Sequence, residues 1–128
     1  MDTWTVLVSV AALLFYFATG IHVGLHRTRH GVMPPAMSGH PMVERALRVQ
    51  GNTLEYLVIF LPALWMFSMF FDPRIGAGIG AIWILGRLLY LTGYMSDPGK
   101  RGPGFAIQAL ATMVLLIGAG TGAVMRLV

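Results

Sequence analysis

Four long apolar runs divide the chain, and shorter polar stretches separate them. The runs cover about residues 3–25, 54–71, 75–91 and 105–125. None shows the period-two alternation of a strand, and each approaches the roughly 20 residues that a helix needs to cross a bilayer. Only helices and closed barrels satisfy every backbone polar group in lipid. The pattern therefore predicts four membrane-spanning helices.

The stretches between the runs carry turn signals. "FFDPRIG" separates the second run from the third, "SDPGKRGPG" separates the third from the fourth, and the longer "RTRHGVMPPAMSGHP" follows the first. The first run follows Asp2 rather than a basic segment, so we expect a span and not a cleaved signal peptide. The 128 residues leave no room for a separate soluble domain. We expect a single domain over residues 1–128, an all-α integral membrane four-helix bundle.

Composition supports this prediction. The chain is 56% hydrophobic and only 11% charged, whereas a soluble domain carries about 25% charged residues. It contains no cysteine, so the protein has no disulfide and supplies no thiol of its own. The net charge of +4 is too small, and too dispersed in apolar sequence, to indicate a nucleic-acid partner.

Basic residues are distributed unevenly between the two ends of the predicted bundle. Arg74 and Arg126 fall at one end, and Arg87 lies within the third run. The other end carries Arg27, Arg29, Arg45, Arg48, Lys100 and Arg101. The positive-inside rule then places both termini outside and the two basic loops in the cytoplasm.

Two helices carry polar stripes at this basic end. Successive side chains of a helix are about 100° apart. One face of the second helix therefore combines Arg45, Arg48, Asn52, Glu55 and Tyr56, with Gln50 on the opposite side. A second stripe, on the third helix, comprises Arg87, Tyr90 and Tyr94. The two stripes predict a cavity lined by both helices.

An ion pair between Glu55 and Arg87 is an alternative explanation of these charges. Charges inside a membrane usually pair, because a central charge costs about 2.5–3.5 kcal/mol on insertion scales. A single pair explains neither the additional arginines nor the tyrosines. The surplus of positive charge favours an anionic ligand instead.

Two further patterns allow more than one interpretation. His22, His26 and His30 follow one another at helical spacing, but zinc needs a third or fourth ligand in place and all three lie on one helix. We expect no metal and assign them an interfacial, helix-capping role. Small residues also recur at helix-packing spacing, and they fit either a bundle interior or a subunit interface. The pairs are Gly20 and Gly24, Gly76 and Gly80, and Gly118 and Gly122.

Two motifs resemble a known family. "ERALRVQGNTLEYLVIFLPALW" resembles the E-R-x-x-R-x-Q-x-N-x-x-E-Y signature of the membrane-associated proteins in eicosanoid and glutathione metabolism (MAPEG). "GRLLYLTGYMSDPGKR" resembles that family's R-x-x-Y-x-x-x-Y followed by a basic loop. The spacing of the first loop is similar to the leukotriene-forming synthase branch. The resemblance covers about residues 27–105. The absence of a polar tail favours a prokaryotic member that does not act on lipid mediators.

The resemblance implies a homotrimer with glutathione bound between neighbouring subunits near the cytoplasmic face. One subunit would contribute Arg48, Gln50, Asn52, Glu55 and Tyr56. The other side of the cleft, in part from the neighbour, would contribute Arg27, Arg87, Tyr90, Tyr94 and Arg101. Arg101 would be the catalytic residue that stabilises the thiolate, with Lys100 as the alternative.

The chemistry of glutathione agrees with this set. Its two carboxylates suit the forked donors of arginine. Its ammonium suits Glu55, with Asn52 completing the hydrogen bonds. The implied function is a membrane-bound glutathione transferase, in a bacterial inner membrane, that conjugates hydrophobic electrophiles and also reduces lipid hydroperoxides. A non-enzymatic lipid- or glutathione-binding scaffold of the same fold is the alternative. A small multidrug exporter is disfavoured, because the first span lacks an acid.

Overall fold

The computed structural model describes residues 2–128 as four long helices joined by short connections. They are α1 (Thr3–His30), α2 (Pro41–Phe70), α3 (Pro73–Ser96) and α4 (Gly102–Leu127), with a 3₁₀ turn at Pro98–Lys100 before α4. All four are long and apolar enough to cross a membrane. The predicted all-α, four-helix architecture is confirmed.

The helices extend beyond the apolar runs, because capping groups rather than hydropathy set their ends. α2 begins at Pro41, where the ring nitrogen Nδ1 of His40 accepts a hydrogen bond from the backbone N–H of Met42. Proline is favoured at the first helical position, since the N–H that it lacks would have no partner there. The polar stretch before the second run is therefore helical, and its charged side chains stand on one rigid element.

Other helix ends follow the same rules. The Asp72 carboxylate accepts from the backbone N–H of Arg74 at the start of α3. The Arg74 side chain also donates to this carboxylate, and these hydrogen bonds lower the pKa of Asp72. Gly31 caps the C-terminal end of α1, and its φ of 68° lies in the left-handed region that glycine adopts most readily.

The core is built around α2 and α3, each of which packs against all three other helices. Phe60 of α2 and Trp83 of α3 are fully buried and stack with ring centroids 4.2 Å apart. Large apolar side chains such as Leu14, Phe17 and Ile117 point outward on the other faces. An apolar outer surface of this kind suits a helix bundle that is surrounded by lipid.

The recurrent glycines pack mainly within the chain. Cβ atoms added at Gly76 and Gly118 would meet the Phe67 ring at 3.2 Å and 2.6 Å. Gly80 and Gly122 likewise face side chains of this chain, whereas Gly24 has no such atom within 4 Å. The small residues of α3 and α4 therefore serve the bundle interior.

The backbones of α3 and α4 lie close together at Gly104, and a substitution there tests this contact. A Cβ at this position would collide with the backbone of Leu89 and Tyr90. Backbone atoms cannot rotate away, so we expect Gly104→Ala to destabilise the protein by at least about 1–3 kcal/mol. Thermal unfolding in detergent measures this change.

Gly120→Ala is the matched control, because no such atom lies within 4 Å of its added Cβ. This substitution on the same helix should be neutral or stabilising, since alanine favours a helix over glycine by about 1 kcal/mol. Equal stability of Gly104→Ala and the wild type would contradict the α3–α4 contact.

Candidate functional site

A cavity of about 700 Å³ opens between α2, α3 and the start of α4. Its lining combines charged, amide and aromatic side chains: Arg48, Asn52, Glu55, Tyr56, Tyr90, Tyr94, Arg101 and Phe105. One chain thus brings together seven of the ten residues predicted for the ligand site. The prediction had placed these seven on the two sides of a cleft, in part from a neighbouring subunit, and helical spacing on α2 and α3 explains how one chain brings them to one cavity.

An exposed salt bridge spans part of the cavity. Arg48 Nη1 lies 3.3 Å from Glu55 Oε1, and the two side chains are 55% and 56% exposed. They are seven residues apart, about two helical turns, so they stand on the same face of α2. Exposed pairs contribute only about 0–1 kcal/mol. The salt bridge can therefore be broken at little cost, and each of the two side chains can then pair with a charged group of a ligand.

Arg87 lies behind the cavity and is fully buried. Its Nη1 donates to Asn52 Oδ1 at 2.8 Å, and its Nη2 donates to Thr53 Oγ1 at 2.7 Å. The guanidinium carbon also lies 4.4 Å from the ring centroid of Tyr90. Arg87 is therefore absent from the lining and stands under two residues that do line the cavity.

The ion pair between Glu55 and Arg87 is not formed. Within residues 2–128, no carboxylate approaches Arg87 within 4.0 Å, and Glu55 pairs with Arg48 instead. The alternative explanation is therefore wrong. Neutral acceptors on α2 take the place of a carboxylate for Arg87.

The orientation of Asn52 follows from its bond to Arg87. Arginine has only donors, so the carbonyl oxygen of the Asn52 amide must face the guanidinium. The NH₂ group of Asn52 then remains for an acceptor. This NH₂ group can donate to a carboxylate or a peptide carbonyl of a ligand. It cannot accept a hydrogen bond from the ammonium, which was the partner expected for Asn52 from the sequence.

The connection between α3 and α4 places Arg101, and not the Lys100 side chain, at the cavity. Arg101 Nη1 donates to the Pro98 carbonyl oxygen at 2.7 Å, which holds the side chain at the start of α4. The Lys100 carbonyl packs on Gly93, where an added Cβ would lie 2.6 Å from it. This tight contact fixes the register of the turn.

Arg27 and Gln50 lie outside the cavity in the single chain. Arg27 Nη1 donates to the carbonyls of Val32 and Ala36, and so ties the end of α1 to the loop that follows. Gln50 lies on the opposite side of α2 from Arg48, in a groove that also involves Gly20 and Tyr16 of α1. Two positions along a helix correspond to about 200°, which explains this separation.

Two residues at the site were not predicted. Phe105 contributes an aromatic wall, with its ring centroid 5.3 Å from that of Tyr56 in an edge-to-face arrangement. Thr53 supplies the second acceptor for Arg87. Thr53 could have been found by asking which polar groups on a neighbouring helix satisfy a guanidinium inside a membrane.

The histidines form a row at the junction of α1 and α2. His22 Nε2 and His26 Nε2 are 3.2 Å apart, and the rings of His30 and His40 stack with centroids 3.6 Å apart. In the part of the chain that the structure describes, no three or more His, Cys, Asp or Glu side chains are arranged to hold a metal ion.

The fold and the cavity define a membrane helix bundle with a polar cavity at one end. The sequence matches the MAPEG family over residues 5–121. It is 37% identical to human microsomal glutathione S-transferase 2 over 81% of this chain and 70% of that protein. It is 35% identical to rat leukotriene C4 synthase over 84% of this chain and 70% of the synthase.

The chain belongs to the MAPEG family, as its two motifs predicted, and it is an integral membrane protein. It is also 48% identical to an uncharacterized protein of Synechocystis, over 91% of this chain and 85% of that protein. A cyanobacterial relative agrees with the expected prokaryotic membership.

Proposed function

We propose that the protein is a membrane-bound glutathione transferase, which binds glutathione in the cavity as a thiolate and conjugates it to hydrophobic electrophiles from the bilayer. The observation that carries this proposal is the cavity itself, where Arg48, Glu55 and Arg101 meet Tyr90 and Tyr94. Relatives named glutathione S-transferase and leukotriene C4 synthase support the same chemistry.

The charges of the lining suit glutathione. Near pH 7 this tripeptide carries two carboxylates and one ammonium. When glutathione binds, the salt bridge between Arg48 and Glu55 breaks. Glu55 then pairs with the ammonium of glutathione, and Arg48 pairs with one of its carboxylates. The weak, exposed salt bridge makes this exchange inexpensive. The NH₂ of Asn52 donates to a carboxylate or peptide carbonyl of the ligand.

Arg101 is the proposed catalytic residue. A guanidinium close to the sulfur favours the charged form and lowers the pKa of the thiol by about one to three units. Lowering that pKa from about 8.5 to about 6.5 raises the ionised fraction at pH 7 from roughly 3% to roughly 75%. The lower intrinsic nucleophilicity of the weaker base offsets most of this gain, so activation alone contributes only severalfold.

Co-localisation supplies much of the remaining rate. The electrophile partitions into the bilayer and meets a sulfur that is already held in place, which makes the encounter effectively intramolecular. The thiolate sulfur forms a bond to the electrophilic carbon, and the displaced electron pair leaves with the leaving group or takes up a proton. The same thiolate reduces a lipid hydroperoxide to an alcohol and water when a second glutathione completes the disulfide.

The assembly that we propose is a homotrimer in a bacterial inner membrane, with the basic end facing the cytoplasm. Arg27 and Gln50, which lie away from the cavity of their own chain, then reach the cavity of a neighbouring copy. The half-buried Gln50 in an otherwise apolar groove supports an interface on this face of α1 and α2.

Native mass spectrometry of the detergent-solubilised protein should show trimers, and single cysteines at positions 36 and 99 should react only with reagents that enter the cytoplasm. Monomers or dimers alone would overturn the trimer. Labelling of either cysteine by an impermeant reagent from the outside would overturn the orientation.

Arg101→Ala tests the catalytic assignment. We expect conjugation of a generic aromatic electrophile at neutral pH to fall up to severalfold, because the thiol loses about one unit or more of pKa depression while the remaining thiolate becomes a stronger nucleophile. Glutathione affinity should change little, and raising the pH above about 9 should restore part of the rate. Steady-state kinetics and glutathione titration measure these effects.

Lys100→Ala is the matched control, since the adjacent side chain lies outside the cavity lining. A larger effect of Lys100→Ala than of Arg101→Ala would assign the catalytic cation to Lys100. Glutathione binding without turnover of electrophile or hydroperoxide in the wild type would favour the scaffold function.

A further inference from the structure

A positive charge without a counter-ion lies directly behind the cavity. Arg87 is fully buried, and no carboxylate comes within hydrogen-bonding reach of it in the described chain. Neutral acceptors bind two of its nitrogens, and its Nε has no partner within residues 2–128. A buried charge that lacks a counter-ion is strongly unfavourable, so an arrangement of this kind requires compensation from elsewhere.

The charges that one chain places at the cavity show where the compensation comes from. The lining carries two arginines, Arg48 and Arg101, and one carboxylate, Glu55, which gives a net charge of one positive unit. Arg87 behind the lining raises this to two positive units. Glutathione carries one net negative charge as a thiol and two as a thiolate. The lining alone balances the thiol, whereas the lining together with Arg87 balances the thiolate.

We propose that Arg87 is the buried counter-charge that makes the cavity select the thiolate form of glutathione. This inference rests on the proposed function and extends it to a residue outside the cavity lining. Arg87 acts through its electric field and through Asn52, whose amide it orients and which lines the cavity. It is a positioning residue, whereas Arg101 is the residue proposed to approach the sulfur.

Because Arg87 is buried, salt screens its electric field less than it screens the fields of the exposed arginines. Dissolved ions screen exposed charges, and at about 1 M salt the screening length falls to about 3 Å. Arg48 is more than half exposed and Arg101 is exposed, so their influence on the thiol decreases with salt. A buried charge is screened much less. Part of the lowering of the thiol pKa is therefore predicted to persist at high salt.

The other titratable groups around the bound thiol are on the same three elements. α2 contributes the Arg48–Glu55 pair and Tyr56, and α3 contributes Tyr90 and Tyr94. The start of α4 is preceded by Arg101. Within one chain, Arg48, Arg87 and Arg101 are the cations that lower the pKa of the thiol, and their responses to salt distinguish the buried Arg87 from the two exposed arginines.

The experiment follows the thiolate absorbance of bound glutathione in the ultraviolet as pH is varied, at saturating glutathione and at low and about 1 M salt. Arg87→Met keeps an unbranched, flexible side chain and removes its charge and its hydrogen-bond donors. We expect the apparent pKa of the bound thiol to rise by about one unit at both salt concentrations, which is a tenfold loss of thiolate below that pKa. Arg101→Ala should raise it at low salt and much less at high salt.

Three variants serve as controls. Arg87→Lys keeps the charge but not the two-pronged donor, so it should weaken glutathione binding while the thiol pKa stays close to that of the wild type. Thr53→Val removes one acceptor and keeps the charge, with the same expectation for the pKa. Leu89→Met alters a half-exposed position on the same helix and should change neither quantity.

The possible outcomes distinguish failure of the proposed function from failure of the proposed role of Arg87. If wild-type protein binds glutathione without forming thiolate, the proposed function falls. If wild-type thiolate forms but Arg87→Met leaves its pKa unchanged, only the role of Arg87 falls. Should Arg87→Met fail to fold, the wild type at about 1 M salt decides. A thiol pKa that returns to that of free glutathione overturns the buried counter-charge, and one that stays lowered supports it.

Discussion

The guanidinium of Arg87 donates to Asn52 at 2.8 Å and to Thr53 at 2.7 Å, and these bonds join α3 to α2 at the level of the cavity. Hydrogen bonds to a charged group are each worth about 1.5–3 kcal/mol, more than a neutral pair contributes. They also determine which way the Asn52 amide faces, and they hold the guanidinium carbon 4.4 Å from the Tyr90 ring centroid. The cavity is therefore organised by a side chain that does not line it.

The position of α4 depends on a different constraint, the absence of side chains at the α3–α4 contact. Gly104 lies against the backbone of Leu89 and Tyr90, and Gly86 admits the backbone of Gln108. This close approach brings the start of α4 next to the tyrosines of α3. Arg101 and Phe105 reach the cavity as a result. One polar contact and one small-residue contact together assemble a site from three helices.

Much of this arrangement could be predicted from the sequence, because helical periodicity determines which side chains share a face. Arg48, Asn52, Glu55 and Tyr56 are four, three and one residues apart, and they line one cavity. How deeply each side chain is buried could not be predicted in the same way. Arg87 shares a stripe with Tyr90, but periodicity does not tell how far a side chain extends behind its neighbours. The alternative that paired Arg87 with Glu55 was wrong for this reason.

Helical periodicity also does not predict the register of a turn or which residues of two helices become neighbours. The choice between Lys100 and Arg101 depends on a contact between a carbonyl and Gly93, which has no signature in the spacing of basic residues. Phe105 was missed because an aromatic residue at the start of an apolar run is indistinguishable from a lipid-facing one. Gln50 and Arg27 depend on where a second copy would lie, which the spacing of residues in one chain does not determine.

The central claim is that the cavity binds glutathione as its thiolate. Proton release on binding tests it most directly, by titration calorimetry near pH 7 in buffers of different ionisation enthalpy. A site with a thiol pKa near 6.5 should release roughly 0.7 proton per glutathione bound, because free glutathione is almost wholly protonated at sulfur. S-methylglutathione, which has no thiol proton, should bind without this release. Binding of glutathione with no proton released would contradict the account.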